Sequence, residues 1–447
     1  MVEPSATKRA RRVPTGRSGA GASVALIDGA RIPFTRAGSD YRDLISYDLA
    51  RMVIAGLLGR AAFDPAELDM VAMGSVVQNV ATSNVARDAA LAAGVPDRVP
   101  AHTVTMACIS SNRAIADAAL AIQTGHARAV LAGGVEMLGD VPVGFSREVR
   151  KRLFDSRRYR SAGQWRAFFR GLPWRELLPK PPAIAEFSTG ESMGQSADRL
   201  AAAFDVTREE QDAYALRSHQ GAARAQAEGH LAAQIVPVVV PPRGTVVERD
   251  NGVREDTNPE KLAALPPAFV KPFGTVTAGN ASPLTDGAAA VLVMAEEAAR
   301  AEGRRVRARI RDFTFVAQDP GDELLLGPAY AVPRLLERNG VALADVDVIE
   351  IHEAFAGQVL AVLRALSSDA FGREKLGLPG AFGTVDMGKV NPWGGSVSLG
   401  HPFGATGARL VSTAMQRLAV EDGSLALVTA CAAGGQGHAM LLERVAS

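Results

Sequence analysis

Thr103-Val104-Thr105-Met106-Ala107-Cys108-Ile109-Ser110-Ser111-Asn112 carries a β-type run into a helix, with a cysteine at the junction. Ile115, Ala119 and Ile122 mark that helix at i, i+4 and i+7, and Gly125 follows as its C-terminal cap. A buried strand, Ala129 to Ala132, comes next, then a glycine-rich turn at Gly133-Gly134. The same order recurs far along the chain. Gly400-His401-Pro402 precedes a helix marked by Ala408, Val411, Met415 and Leu418. The strand Leu425 to Thr429 and the turn Gly434-Gly435 follow. Each unit sets a reactive side chain at the start of a helix and returns to glycines. An internal duplication is the organisation this predicts, although any α/β protein offers such pairs.

Outward from these units, Val24 to Ile27, Ala289 to Met294 and Val346 to Ile351 are short apolar runs that read as buried strands. Strands alternating with helices predict an α/β architecture. Residues 143–269 break the rhythm with arginines, prolines and polar helices, and include a turn-like stretch from Val247 to Glu255. They read as an inserted loop domain. The predicted division is a disordered basic tail over 1–22, a first core half over 23–142 and 270–297, the insertion, and a second core half over 298–447.

Composition narrows the function classes. Of 447 residues, 47% are hydrophobic and 22% charged, which excludes a disordered chain. Lys+Arg 49 against Asp+Glu 48 leaves a net +1, so no global field draws nucleic acid. No apolar run approaches the ~20 residues of a membrane span. Two cysteines make no disulfide framework, and a reducing compartment is expected. The tail carries Lys8, Arg9, Arg11, Arg12 and Arg17 without an apolar core, so a secretory signal is excluded. Pro4, Pro14 and its glycines disfavour the amphipathic helix of a mitochondrial transit segment. A cytoplasmic protein is expected, and the wealth of Ala, Arg and Gly suggests a bacterial source.

Four positions carry chemistry. Cys108 lies where free backbone N–H groups and a helix N-terminus favour thiolate; a buried, inert cysteine fits the same place. His401 sits among Gly400, Pro402, Gly404 and Gly407, with Pro402 suited to a first helical residue. A histidine held there can deprotonate a thiol, or be an ordinary loop histidine. Cys431 opens Cys431-Ala432-Ala433-Gly434-Gly435-Gln436-Gly437, a turn rich in N–H donors that can hold an oxyanion, or a structural turn. His352-Glu353-Ala354-Phe355 ends a strand, where ligands gather in open α/β sheets; a surface loop is the alternative.

Together, in the order Cys, His-Glu, Gly-His-Pro, Cys-Gly-Gly, these motifs resemble the thiolase family. The resemblance runs from about residue 23 to the C-terminus. It includes Arg31-Ile32-Pro33-Phe34, Asn84-Val85-Ala86-Arg87, Gly133-Gly134-Val135-Glu136, Ser192-Met193-Gly194, Thr275-Val276-Thr277-Ala278-Gly279-Asn280 and Leu284-Thr285-Asp286-Gly287-Ala288. Within the family the chain looks most like the thiolase (β) subunits of fatty-acid β-oxidation trifunctional complexes. Those carry His-Glu-Ala-Phe where most thiolases have Asn-Glu-Ala-Phe.

The resemblance implies a thiolase fold of two duplicated halves in αβαβα layers. It implies an acyltransferase that cleaves 3-oxoacyl-CoA with CoA in a ping-pong reaction through an acyl-cysteine. Synthetic acetyl-CoA condensation and a silent acyl-CoA-binding scaffold are the alternatives. Cys108 would be the nucleophile and His401 its activator. Cys431 would be the acid and base toward acetyl-CoA and CoA, a task suited to a thiol of ordinary pKa, about 8.5. His352 matches the Asn that helps, through water, to form one oxyanion hole. The N–H groups of Cys108 and Ala433 would form the other, and Glu353 would orient them. Met193, Ser282 and Phe355 match CoA-contacting positions. CoA is a substrate, so neither cofactor nor metal is implied. The partners implied are a second copy, as a homodimer, and a hydratase/dehydrogenase subunit in an α2β2 complex. Ala433 replaces a common Gly, Ser111-Asn112 replaces Ser-Gly, and Ser192 stands where many members have His.

Residues 147–176 hold ten basic residues against three acids, with Trp165, Trp174, Phe154, Phe168 and Phe169. Basic plus aromatic composition suits an interfacial segment, here at the inner face of a membrane. It also suits CoA phosphates, a partner subunit, or plain solvation.

Overall fold

The computed structural model describes residues 21–180, 182 and 185–445. The expected tail, save its last two residues, lies outside this range. The strands are β1 (Val24–Arg31), β2 (Thr35–Arg36), β3 (Met70–Gly74), β4 (Ala101–Val104), β5 (Ala129–Glu136), β6 (Val238–Val240), β7 (Thr245–Val247), β8 (Thr285–Ala295), β9 (Ala308–Ala317), β10 (Val348–Ile351), β11 (Leu425–Ala432) and β12 (Gln436–Glu443).

The main sheet runs β10-β11-β12-β9-β1-β8-β5-β3-β4. It repeats one pattern outward from its centre. From β1 the pairings to β8, β5 and β3 are antiparallel, antiparallel, parallel. From β9 the pairings to β12, β11 and β10 are antiparallel, antiparallel, parallel. β1 and β9 join the halves, antiparallel, through Val24–Leu26 and Ala308–Ile310. The predicted duplication is therefore present in the topology.

Three apolar cores separate the layers. The central one gathers Ile115, Ala119 and Ile122 with Ala408, Val411, Met415 and Leu418, against side chains of both half-sheets. The helices Ser110–Gln123 and Thr406–Val420 thus share the middle layer, as their apolar spacing requires. Helix Ser46–Arg60 covers the outer face of the first half and helices Gly327–Arg338 and Ala356–Leu366 that of the second. This is the αβαβα stack. Strands covered on both faces read as continuous apolar runs, which is why they were legible.

Residues of the 143–269 stretch brace both halves. Val238, Val240 and Val247 of the β6–β7 hairpin join the first outer core. Ala197, Leu200, Ala201 and Tyr214 join the second.

Three local expectations fail. Gly133 and Gly134 are no turn; they lie inside β5. A Cβ there would collide with the Ala289 and Gly404 carbonyls, so these glycines permit close backbone approach. Pro402 does not open a helix. His401 is held to the 283–284 segment by its N–H to Pro283 O, so a turn follows first. In that turn the Ala405 and Thr406 N–H groups donate to Pro402 O, and the helix starts at Thr406. Cys431 lies within β11 opposite Gly437, not in the turn after it.

Helix Thr406–Val420 also buries two arginines. Arg417 and Arg409 lie 2.9 and 3.4 Å from the carboxylate of Glu350 on β10, and all three are fully buried. Removing one partner of such a network leaves buried charge uncompensated, at a cost of about 3–5 kcal/mol. Glu350→Gln should lower unfolding stability in urea by about that amount. A loss within error of zero would show that Glu421, 2.7 Å from Arg417, already compensates the buried charge.

Candidate active site

Cys108 stands between β4 and the Ser110–Gln123 helix. The chain reaches it through Ala107 at φ +46°, a left-handed conformation unusual for a residue with a Cβ. Ser110 fastens this elbow: its Oγ accepts from Met106 N–H at 2.8 Å and donates to Ala107 O at 2.6 Å. The elbow aims the thiol into the seam between the halves, toward the backbone N–H of Ala433. Burial pushes the thiol up to about 11, against the pull of the Ala433 and Cys108 N–H groups. The expectation that the helix end would favour thiolate is thus not met in the resting protein, because desolvation of a buried charge outweighs the backbone dipoles.

Cys431 is 1% exposed. Burial, and then its neighbour Cys108, hold its thiol far above the ordinary range. The anticipated ordinary pKa is corrected: as it rests, Cys431 is a proton donor.

His352 follows β10 and His401 follows Gly400; their rings face each other with centroids 4.1 Å apart. Cys108 Sγ and one nitrogen of each histidine lie within 4.8 Å of one another. Burial, reinforced by Arg409, lowers His401 to about 3. Burial, then His401 and Arg409, lowers His352 well below its usual value. Both rings are neutral at physiological pH. A sulfur and two imidazoles are donors that a soft metal accepts, but the same lone pairs serve thiol chemistry.

The surrounding residues brace this group. Glu353 does not enter it. Its carboxylate accepts from Tyr214 (3.0 Å), Asn391 (2.7 Å), Ser218 (2.8 Å) and the Val397 N–H (3.1 Å), which locks the His352 loop to helix Arg208–Ala227. The turn after Cys431 runs through Gly434 and Gly435 at φ +83° and +65°. Glu186, from the inserted stretch, accepts the Gly434 N–H at 2.8 Å and so fixes the Ala433 peptide beside Cys108. The CoA candidates also converge. Phe355 packs edge-on against Phe269 at 6.0 Å, Phe269 lies over Gly194 beside Met193, and Ser282 N–H donates to Ala354 O.

Sequence reasoning gave no role to Glu136, Thr406, Ser396 or Arg409. Glu136 ends β5, fully buried, and accepts from Val77 (2.9 Å), Val76 (3.1 Å) and Gly404 (2.9 Å) N–H groups. It thereby ties the His401 loop to the first half. Burial still raises it to about 7, against those three bonds. A carboxylate closing a wholly apolar strand was the available signal. A cavity of about 580 Å³ beside Gln226, Leu231, Glu248 and Arg249 contains none of the reactive residues.

Residues 24–297 match the thiolase N-terminal domain and residues 304–444 the thiolase C-terminal domain. The chain belongs to the thiolase family. It is an acyltransferase of that family. The mitochondrial trifunctional enzyme subunit beta of Bos taurus is 52% identical over 421 residues, covering 94% of this chain and 88% of the relative. A probable 3-ketoacyl-CoA thiolase of Caenorhabditis elegans is 50% identical over 422 residues, covering 94% of each. The crystal structure of the Bacillus anthracis acetyl-CoA acetyltransferase superposes with a TM-score of 0.82 at 34% identity, covering 96% of this thiolase and all of that chain.

Proposed function

We propose that this thiolase cleaves 3-oxoacyl-CoA with CoA, yielding acetyl-CoA and a shortened acyl-CoA, in fatty-acid β-oxidation. The observation that carries the reading is the meeting of both cysteines of the chain with two neutral histidines at one buried seam. Cys108 sulfur adds to the C3 ketone while His401 takes its proton. The C2–C3 bond breaks, leaving an acyl-Cys108 and the enolate of acetyl-CoA, which Cys431 protonates. CoA then gives its proton to Cys431 and its sulfur attacks the acyl group; the acyl–Cys108 bond breaks, His401 returns its proton to the Cys108 sulfur, and acyl-CoA leaves. Oxyanions arise twice. The N–H groups of Cys108 and Ala433 serve one, and His352 with His401 the other. Burial makes these donors strong, since no solvent competes. Phe355, Met193 and Ser282 lie where the CoA arm enters, and Glu353 holds the His352 loop. The chain needs no cofactor beyond its CoA substrates for these steps. We assign residues 143–269 as an insertion within the first core half, between β5 and β8, and place the protein in a bacterial cytoplasm on its composition.

The reading extends to partners. Phe154, Trp165, Phe169 and Trp174 are 64%, 48%, 57% and 67% exposed, among arginines, on helices Arg147–Ser156 and Ala162–Phe169 and the turn after them. Such a surface suits peripheral contact with anionic lipid. No described helix is long and apolar enough to cross a membrane. The likeness to a trifunctional enzyme subunit beta supports assembly with a further subunit, and we take that subunit to be a hydratase/dehydrogenase and this chain to form a homodimer.

After incubation with a 3-oxoacyl-CoA, peptide mass spectrometry should place the acyl group on Cys108. Cys108→Ala should lose both half-reactions. Cys431→Ala should still take an acyl group from a simple acyl-CoA, but exchange the acetyl α-proton ~10²–10⁴-fold more slowly. Acylation of Cys431, or exchange at the wild-type rate, contradicts the assignment. For the partners, light scattering should give at least a dimer. Co-sedimentation should rise with anionic vesicle content and fall with salt. A fully active monomer, or indifference to anionic vesicles at low salt, sinks the corresponding part.

A further inference from the structure

The two facing histidines differ in what lies behind them. Behind His352 is Ser396, whose Oγ is 3.0 Å from Nδ1. Behind Ser396 is Arg409, whose Nη2 donates to the same Oγ at 3.0 Å. Arg409 is fully buried and has no lone pair to offer. Ser396 therefore accepts from Arg409, and its single proton needs an acceptor. Among the described residues the acceptor within reach is His352 Nδ1. Were Nδ1 instead protonated, Ser396 would face two donors and its own proton would go unpaired in a dry site. The satisfied arrangement leaves Nδ1 as acceptor and puts the ring proton on Nε2. That Nε2 is buried and has no protein partner.

Behind His401 is Thr406, with Oγ1 2.7 Å from Nδ1. Thr406 has a second outlet for its proton, the Pro402 carbonyl at 3.1 Å. With Nδ1–H donating to Thr406 and Thr406 donating to Pro402, two bonds form. The reverse direction makes one. His401 thus keeps a lone pair at Nε2, also buried and without a protein partner. Burial keeps both rings neutral, so each has one donor and one acceptor nitrogen.

Building on the thiolase reading above, we propose that Ser396 and Arg409 are positioning residues that hold His352 in its Nε2–H form, opposite to His401. The pair then has divided labour: the lone pair of His401 faces the Cys108 proton, while the N–H of His352 is ready for a substrate oxygen before any proton has moved. An amide side chain there can turn its NH₂ end to the oxygen by flipping, without moving a proton. An imidazole presents a donor only if its tautomer is fixed, and Arg409 through Ser396 fixes it.

The test uses the whole enzyme with ¹⁵N-labelled histidine. In wild type, the His352 ring should show a protonated Nε2 and an unprotonated Nδ1, and His401 the reverse, each assigned with a His→Asn variant. Ser396→Ala should broaden or mix the His352 tautomers and lower kcat for thiolysis on the order of tenfold, the loss typical of an orienting partner. KM for CoA should stay within twofold, and Ser396→Thr should restore the tautomer. In a His352→Asn background, adding Ser396→Ala should cost no further kcat. A wild-type His352 protonated on Nδ1 overturns the proposal whatever the variants do. Equal losses from Ser396→Ala in both backgrounds overturn the positioning role. Failure of the thiolase reading itself would appear separately, as wild type that releases no acetyl-CoA from 3-oxoacyl-CoA.

Discussion

Desolvation of four reacting side chains is the constraint on which the rest depends. Cys431, His352 and His401, all buried, meet the half-buried Cys108 where the two half-sheets and their shared helices join. Burial penalises charge, so the thiols rest protonated and the imidazoles rest neutral. None of the four needs a counter-ion at rest. Charge appears only when substrate brings it, as an oxyanion or enolate, and then meets fixed N–H donors. Electrostatic stabilisation of this kind is strongest where solvent is excluded.

Such a site demands rigid support, and the duplication supplies it. Cys108 comes from the first half; His352, His401 and Cys431 come from the second. The halves must register closely for these groups to meet. Gly134 lets β5 approach the Gly404 backbone, and Glu136 takes the Gly404 N–H at 2.9 Å. Ser111 takes the Ala408 N–H at 2.9 Å, joining the two central helices. From outside, Glu186 fixes the Gly434 turn and Glu353 fixes the His352 loop. Buried carboxylates thus do much of the alignment, each spending its oxygens on backbone N–H groups or hydroxyls.

Much of this was legible in the sequence because its signals were strong and local. The strands β8 and β11 are covered on both faces, so their apolar runs stand out. The middle-layer helices show their 3.6-residue spacing, and the reactive residues sit in compact motifs. Other features were not legible. Gly133-Gly134 looks like a turn because the residue that permits a turn also permits close packing inside a strand. Cys108 at a helix start suggests thiolate, but depth of burial is a three-dimensional property and it reverses the sign. Ser396, Thr406 and Arg409 look like ordinary polar residues of helices. Their importance comes from neighbours distant in sequence, such as Ser396 beside His352 at a separation of 44 residues.

The central claim is that the resting nucleophile is a neutral thiol beside a neutral imidazole. The ultraviolet thiolate absorbance of wild type, compared with Cys108→Ala across a pH titration, tests it most directly. No thiolate difference is expected near neutral pH, with the Cys108 band growing in only at alkaline pH, toward about 11. A full equivalent of thiolate lost with Cys108 at neutral pH would mean that Cys108 and His401 rest as an ion pair, and would contradict it.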